Sequence, residues 1–148
     1  MNIKQTAICA IITTLIFYMF AFSICCAEEI DMNVIAKIES SGNPLAHNIR
    51  TGARGLYQIR KIAWEDVQNH YPELKKYDYL EYCYNSKISR LFAKKYFNIL
   101  KKYLKYYNKP ITIKNLLYAY NAGIGNLING RIPKESIEYV KKYILFDK

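Results

Sequence analysis

The stretch NSKISRLFAKKYFNILKKYLKYY, Asn85 to Tyr107, decides the fold class. Ile88, Leu91, Phe92, Tyr96, Ile99, Leu100 and Tyr103 recur at helical spacing, while Lys87, Lys94, Lys101 and Lys105 fall largely elsewhere. A sustained apolar stripe with lysines off it is a helix that buries one face and wets the other, so this segment predicts the spine of a helical domain.

The flanking segments read the same way. Asp31 is a fitting N-cap for a short helix to about Ser41, with Ile35 and Ile38 facing inward, Glu39 in its last turn and Gly42-Asn43-Pro44 ending it. A second helix, around Lys61 to His70, carries Trp64 and Val67 and stops near Pro72. Thr112 caps another through Leu116, Leu117 and Tyr120, which Gly123-Ile124-Gly125 terminates. Pro133 suits the start of the last, with Ile137, Val140, Tyr143 and Ile144 as its inner stripe. From Leu45 to Gln58, Gly52 and Gly55 among polar residues predict a loop or a small hairpin. The expected fold is mainly α with at most a small β hairpin. Gly123-Ile124-Gly125 is no dinucleotide fingerprint, because no strand precedes it and no glycine stands three positions after Gly125.

Composition bounds the rest. With 148 residues, 51% apolar and 23% charged, the chain suits one globular domain and is too apolar for disorder. Residues 1–27 stand apart, since Lys4 is followed by an uncharged, apolar run from Gln5 to Ala27. This reads as a signal peptide cut before Glu28 or as an uncleaved membrane anchor, and either way residues 28–148 are expected to be exported, to the periplasm or cell envelope. Twenty-two basic residues against 12 acidic ones give +10; without Lys4 the remainder keeps +9. Such a surface points to an anionic partner. Export argues against nucleic acid and for wall polymers or anionic lipid. Of the four cysteines only Cys83 lies beyond Ala27, which predicts a buried, inert thiol and no internal disulfide. His47 and His70 are the only histidines, and no ligand spacing supports a metal or other cofactor.

Glu39 is the most suggestive carboxylate. It shares a helix end with Ile35 and Ile38 and precedes a glycine-bearing polar loop able to open a cleft. The negative end of a helix and partial burial both favour the protonated form, which a general acid needs.

Three blocks in order carry a resemblance. Ile38-Glu39-Ser40-Ser41-Gly42-Asn43-Pro44-Leu45-Ala46 with Thr51-Gly52-Ala53-Arg54-Gly55-Leu56-Tyr57-Gln58-Ile59, then Ala119-Tyr120-Asn121-Ala122-Gly123, then Pro133-Lys134-Glu135-Ser136-Ile137-Glu138-Tyr139-Val140 resemble the lytic transglycosylases of the goose-type lysozyme superfamily. The similarity spans about residues 33 to 146. It implies a lysozyme-like helical domain, probing peptidoglycan glycan strands as a monomer without a cofactor, that cleaves the β-1,4 bond between N-acetylmuramic acid and N-acetylglucosamine. Glu39 matches the acid that later acts as base to close a 1,6-anhydro ring. Gln58 matches a cleft amide that hydrogen-bonds sugar, or holds backbone. Tyr120 matches a tyrosine whose hydroxyl meets the catalytic Glu, and Tyr139 a second tyrosine near it. Glu135 matches a substrate-binding carboxylate; Asn121 and Gly123 shape a helix end. Small relatives accompany secretion, conjugation or pilus systems, which the resemblance extends to this chain as partners; a phage lysis role is a further option.

There are departures. Asn48 stands where many relatives have Ser, Tyr57 where they have Met, and Arg60-Lys61-Ile62-Ala63 replaces Met-Pro-x-Thr. No acid lies between Glu39 and Glu65, whereas goose-type hydrolases place helper aspartates there, so transglycosylation is favoured over hydrolysis unless Glu65, Asp66 or Glu135 folds close by. A muramidase using water, and a catalytically idle glycan-binding or assembly protein, are the rival readings.

Overall fold

The computed structural model describes residues 29–147; the expected signal peptide or anchor in residues 1–27 lies outside them. Among the described residues the chain runs α1 (Met32–Ser40), β1 (His47–Asn48), β2 (Ala53–Arg54), α2 (Lys61–His70), a 3-10 turn (Pro72–Leu74), α3 (Tyr79–Tyr82), α4 (Ser86–Tyr106), α5 (Ile113–Ala122), α6 (Ile124–Ile128) and α7 (Lys134–Phe146). As expected, the fold is mainly helical, with one small antiparallel hairpin that pairs His47 with Arg54 and Asn48 with Ala53. No described helix is long and apolar enough to cross a membrane.

The caps follow from local chemistry. Asp31 accepts from Asn33 N–H, Asn85 from Lys87 and Ile88 N–H, and Thr112 from Asn115 N–H, each satisfying a donor that the first helical turn leaves free. At the other end of α1, Ser41 turns left-handed, and the N–H groups of Ser41 and Gly42 bond back to Lys37 and Ala36 carbonyls. That closure stops the helix one residue after Glu39 has been aimed.

The core gathers around α4. Trp64 of α2 stacks on Phe92 with ring centroids 3.5 Å apart, and Ile99, Leu100 and Leu104 are sealed beside α5's Leu116 and Leu117. The centre of the α4 stripe differs from the expected one: Ser89, Ala93, Phe97 and Leu104 are buried, while Ile88, Leu91, Tyr96 and Tyr103 flank it half-buried. Phe92, Ile99 and Leu100 are buried as expected, so the buried face is the expected one turned slightly about the helix axis.

On α7 half of the expected inner stripe is corrected. Val140 and Tyr143 are buried as expected, but Ile137 and Ile144 are exposed, and Ser136 and Tyr139 take their places. The reason is polar: Asp31 N–H donates to the Tyr143 hydroxyl at 2.8 Å, and Ser136 Oγ donates to Asn121 Oδ1 at 2.6 Å, so α7 docks on α1 and α5 through its hydroxyls. A second correction is α6, since Gly123, at φ 87°, ends α5 and a new short helix starts beside it.

Candidate active site

One open cleft of about 590 Å³ lies where the C-terminal end of α1, the hairpin, the start of α2, the end of α5 and the start of α7 meet. It is large enough for several sugar rings. Glu39, Gln58, Asn48, Tyr120, Asn121 and Glu135 all line it, so the cleft brings together six of the seven residues singled out in the sequence. The seventh, Tyr139, is buried behind Glu39.

Glu39 lines the cleft from the last turn of α1. Burial removes water from its carboxyl and pushes its pKa from 4.5 up to about 7, against the pull of the Tyr139 hydroxyl, which donates to Oε1 at 2.9 Å. The result is a carboxyl that holds a proton near neutral pH and is oriented at one oxygen. The loop behind it is fastened to α1: Ser40 Oγ lies within donating distance of the Leu56 carbonyl, 2.9 Å, and the Ala36 carbonyl, 3.1 Å.

The tyrosine assignment needs correcting. Tyr120 does not give its hydroxyl to Glu39; it donates to the Tyr57 carbonyl at 2.7 Å, with its ring stacked 4.6 Å from Phe97. Tyr139 makes the bond expected of Tyr120. Both phenols are pushed well above 10, first by burial and then by the neighbouring Glu39, so both stay protonated donors.

Gln58 occupies the left-handed region at φ 47°, uncommon for a residue with a side chain. Its amide N–H groups reach the carbonyls of Gly55 at 2.9 Å and Ala46 at 3.2 Å, so the amide nitrogen holds backbone while the side chain borders the cleft. Asn48 Oδ1 accepts from Arg50 and Thr51 N–H, which shapes the hairpin turn. Asn121 serves as the Ser136 acceptor on the cleft wall, in keeping with a structural part. Glu135, exposed in the first turn of α7, is the only carboxylate besides Glu39 among the cleft-lining residues. Glu65 pairs with Lys61, and Asp66 accepts from the Tyr103 hydroxyl; neither lines the cleft.

Arg60 lines the cleft, as its position after Gln58 suggested, and Ile62 and Ala63 supply apolar wall beside it. Arg50 and Tyr96 line it too and were missed. Tyr96 counted as core because its spacing in α4 is helical; Arg50 stood between Asn48 and Gly52, both noted, and its own charge on that loop was the available signal. Cys83 is buried, its thiol pushed up by burial, and the described residues contain no cluster of three metal-ligating side chains.

Searches among curated proteins and among solved structures return no match. A family model described as Transglycosylase SLT domain matches residues 27–139.

Proposed function

Because this chain belongs to the transglycosylase SLT family, the lytic transglycosylases of the lysozyme-like superfamily, which act on peptidoglycan, we propose that it cleaves the MurNAc-β-1,4-GlcNAc bond with Glu39 as acid and then base. The observation that carries this reading is the Glu39 carboxyl itself: raised to about 7, oriented by Tyr139 and facing a cleft wide enough for glycan.

Glu39 gives its proton to the glycosidic oxygen as the C1–O4 bond breaks, releasing a free 4-hydroxyl. The muramic acid's acetamido oxygen closes on C1 and takes up the positive charge. Glu39, now a carboxylate, removes the C6 hydroxyl proton while O6 attacks C1 and the acetamido oxygen departs. A 1,6-anhydro end forms and Glu39 is neutral again. A single carboxyl suffices because the same group first gives and then takes the proton, and the acetamido oxygen does the work of a second carboxylate at C1.

Peptidoglycan lies outside the cytoplasmic membrane, so this reading uses residues 1–27 as signal or anchor and the cell envelope as the place of action. Local wall opening for a secretion, conjugation or pilus apparatus is the role that goes with it.

A muramidase is the second reading, and Glu135 in the same cleft is what favours it, as a general base for water. Mass spectrometry of muropeptides released from purified peptidoglycan separates the two. Anhydro-muropeptides from the wild type and none from Glu39→Gln are expected. Products heavier by one water would replace the transglycosylase with the muramidase, and release by Glu39→Gln would remove Glu39 from the chemistry.

A further inference from the structure

Two arginines line the Glu39 cleft, Arg50 from the hairpin turn and Arg60 from the start of α2. Among the described residues neither joins a salt bridge. Arg60 occupies the N-cap position of α2, where Ser, Thr, Asp or Asn would satisfy free N–H groups; it makes no capping bond and adds positive charge to the positive helix end. A residue that is wrong for its helix and faces a cleft is more readily explained by what enters the cleft. Arg50 is held at its turn by the Asn48 side chain, 3.1 Å from Arg50 N, so its backbone is placed while its side chain is free.

The lining therefore carries two arginines against Glu135 and Glu39. With Glu39 protonated, the cleft is positive. A neutral sugar chain does not call for that. The charged part of peptidoglycan is the branch on muramic acid, and cutting at Glu39 brings that branch to the same cleft.

We infer that Arg50 and Arg60 form a subsite for a carboxylate carried on the muramic acid branch, so that the protein selects glycan by the charge of its substituents. This rests on the cleft being the glycan-cleaving site. Guanidinium suits the task because its planar fork meets a carboxylate with two parallel hydrogen bonds. The carboxylates belong to the stem peptide in intact strands and to the lactyl group once the peptide is removed.

The full chain is assayed on three preparations of one peptidoglycan: native strands, strands whose peptide carboxylates have been amidated, and strands stripped of peptide by an amidase. Titration of the Glu39→Gln protein with sonicated, soluble strands of each preparation, read by calorimetry, gives binding without turnover. Native strands are expected to give kcat/KM and binding about tenfold above amidated strands, mainly through KM, and the difference shrinks as salt is raised. Arg50→Gln with Arg60→Gln brings the native-to-amidated ratio close to one, and the double Lys variant restores part of it. Stripped strands that bind like native ones assign the ion to any carboxylate on the branch; stripped strands as weak as amidated ones assign it to the stem peptide. Equal binding of native and amidated strands by the wild-type arginines, or an unchanged ratio in the double Gln variant, overturns the subsite. Arginine-dependent binding with no glycan release would keep the subsite and sink the transglycosylase reading, so the two fail separately.

Discussion

The Glu39 carboxyl is set by two opposed effects, and each can be moved by one substitution. Burial raises its pKa and the Tyr139 hydroxyl lowers it, with burial the larger. Tyr139→Phe removes the bond that favours the ionised form, so the alkaline limb of the pH profile of kcat/KM, set near 7 in the wild type, moves upward. The carboxyl also loses its orientation, and kcat at pH 6 is expected to fall about tenfold, the worth of one hydrogen bond. A limb that moves down would show that the tyrosine acts otherwise. Stability carries the same signature. A carboxyl whose folded pKa exceeds its unfolded value costs nothing below pH 4.5 and an increasing amount as pH rises to about 7. Above that the penalty is complete, on the order of 3 kcal/mol. Glu39→Gln keeps an acceptor for Tyr139 and removes the penalty, so its Tm exceeds the wild type's at pH 8 and matches it at pH 4. Equal melting temperatures at pH 8 would contradict a desolvated carboxyl.

Between α1 and α2 the polypeptide folds back on itself tightly, and Gly55 marks the place. Its φ is 74°, and a Cβ there would run into the Cys83 carbonyl oxygen, which is backbone and has nowhere to go. Gly55→Ala should therefore destabilise by ~2–4 kcal/mol, read from urea denaturation, and should lower activity through the displaced Gln58 loop. Gly52, at φ 71° with open space around the Cβ position, bears only the conformational cost, so Gly52→Ala is the milder control. The elements differ in how plainly they were written. The ends of α1 and α5 were legible because Asp31, Thr112, Gly42 and Gly123 act on their own neighbours. Short α3 and α6 were not, since helices of four and five residues have no periodicity to display and rest on tertiary contacts: Tyr79 of α3 meets Trp64 edge-on and bonds the Gly52 and Ile59 carbonyls, and α6 packs on α5. The face of α7 was half misread for a related reason: Tyr143 was placed inward correctly, but Ser136 and Tyr139 turn inward to partners on α5 and α1 in place of Ile137 and Ile144, which no ranking of Ile over Tyr reveals.

The cleft is framed by elements that share one core, and this has a measurable consequence. Trp64, the single tryptophan, is sealed against Phe92 where α2 meets α4. Unfolding followed by tryptophan fluorescence should therefore coincide with unfolding followed by far-ultraviolet circular dichroism, as a two-state transition requires. Separate midpoints would divide α2 and the hairpin from the rest. Helical periodicity, caps and the glycine loop were enough to read a mainly α domain, its order of helices and Glu39 at the end of the first, because those signals operate within a few residues of one another. Which hydroxyl meets Glu39 was beyond them. Tyr120 and Tyr139 stand on different helices far from Glu39 in the chain, and the packing of α5 against α7 sends one to the Tyr57 carbonyl and the other to the carboxylate. The raised pKa of Glu39 and the meeting of Arg50 with Arg60 in one cleft have the same origin, for burial and proximity across the fold come into being only when the helices close on each other.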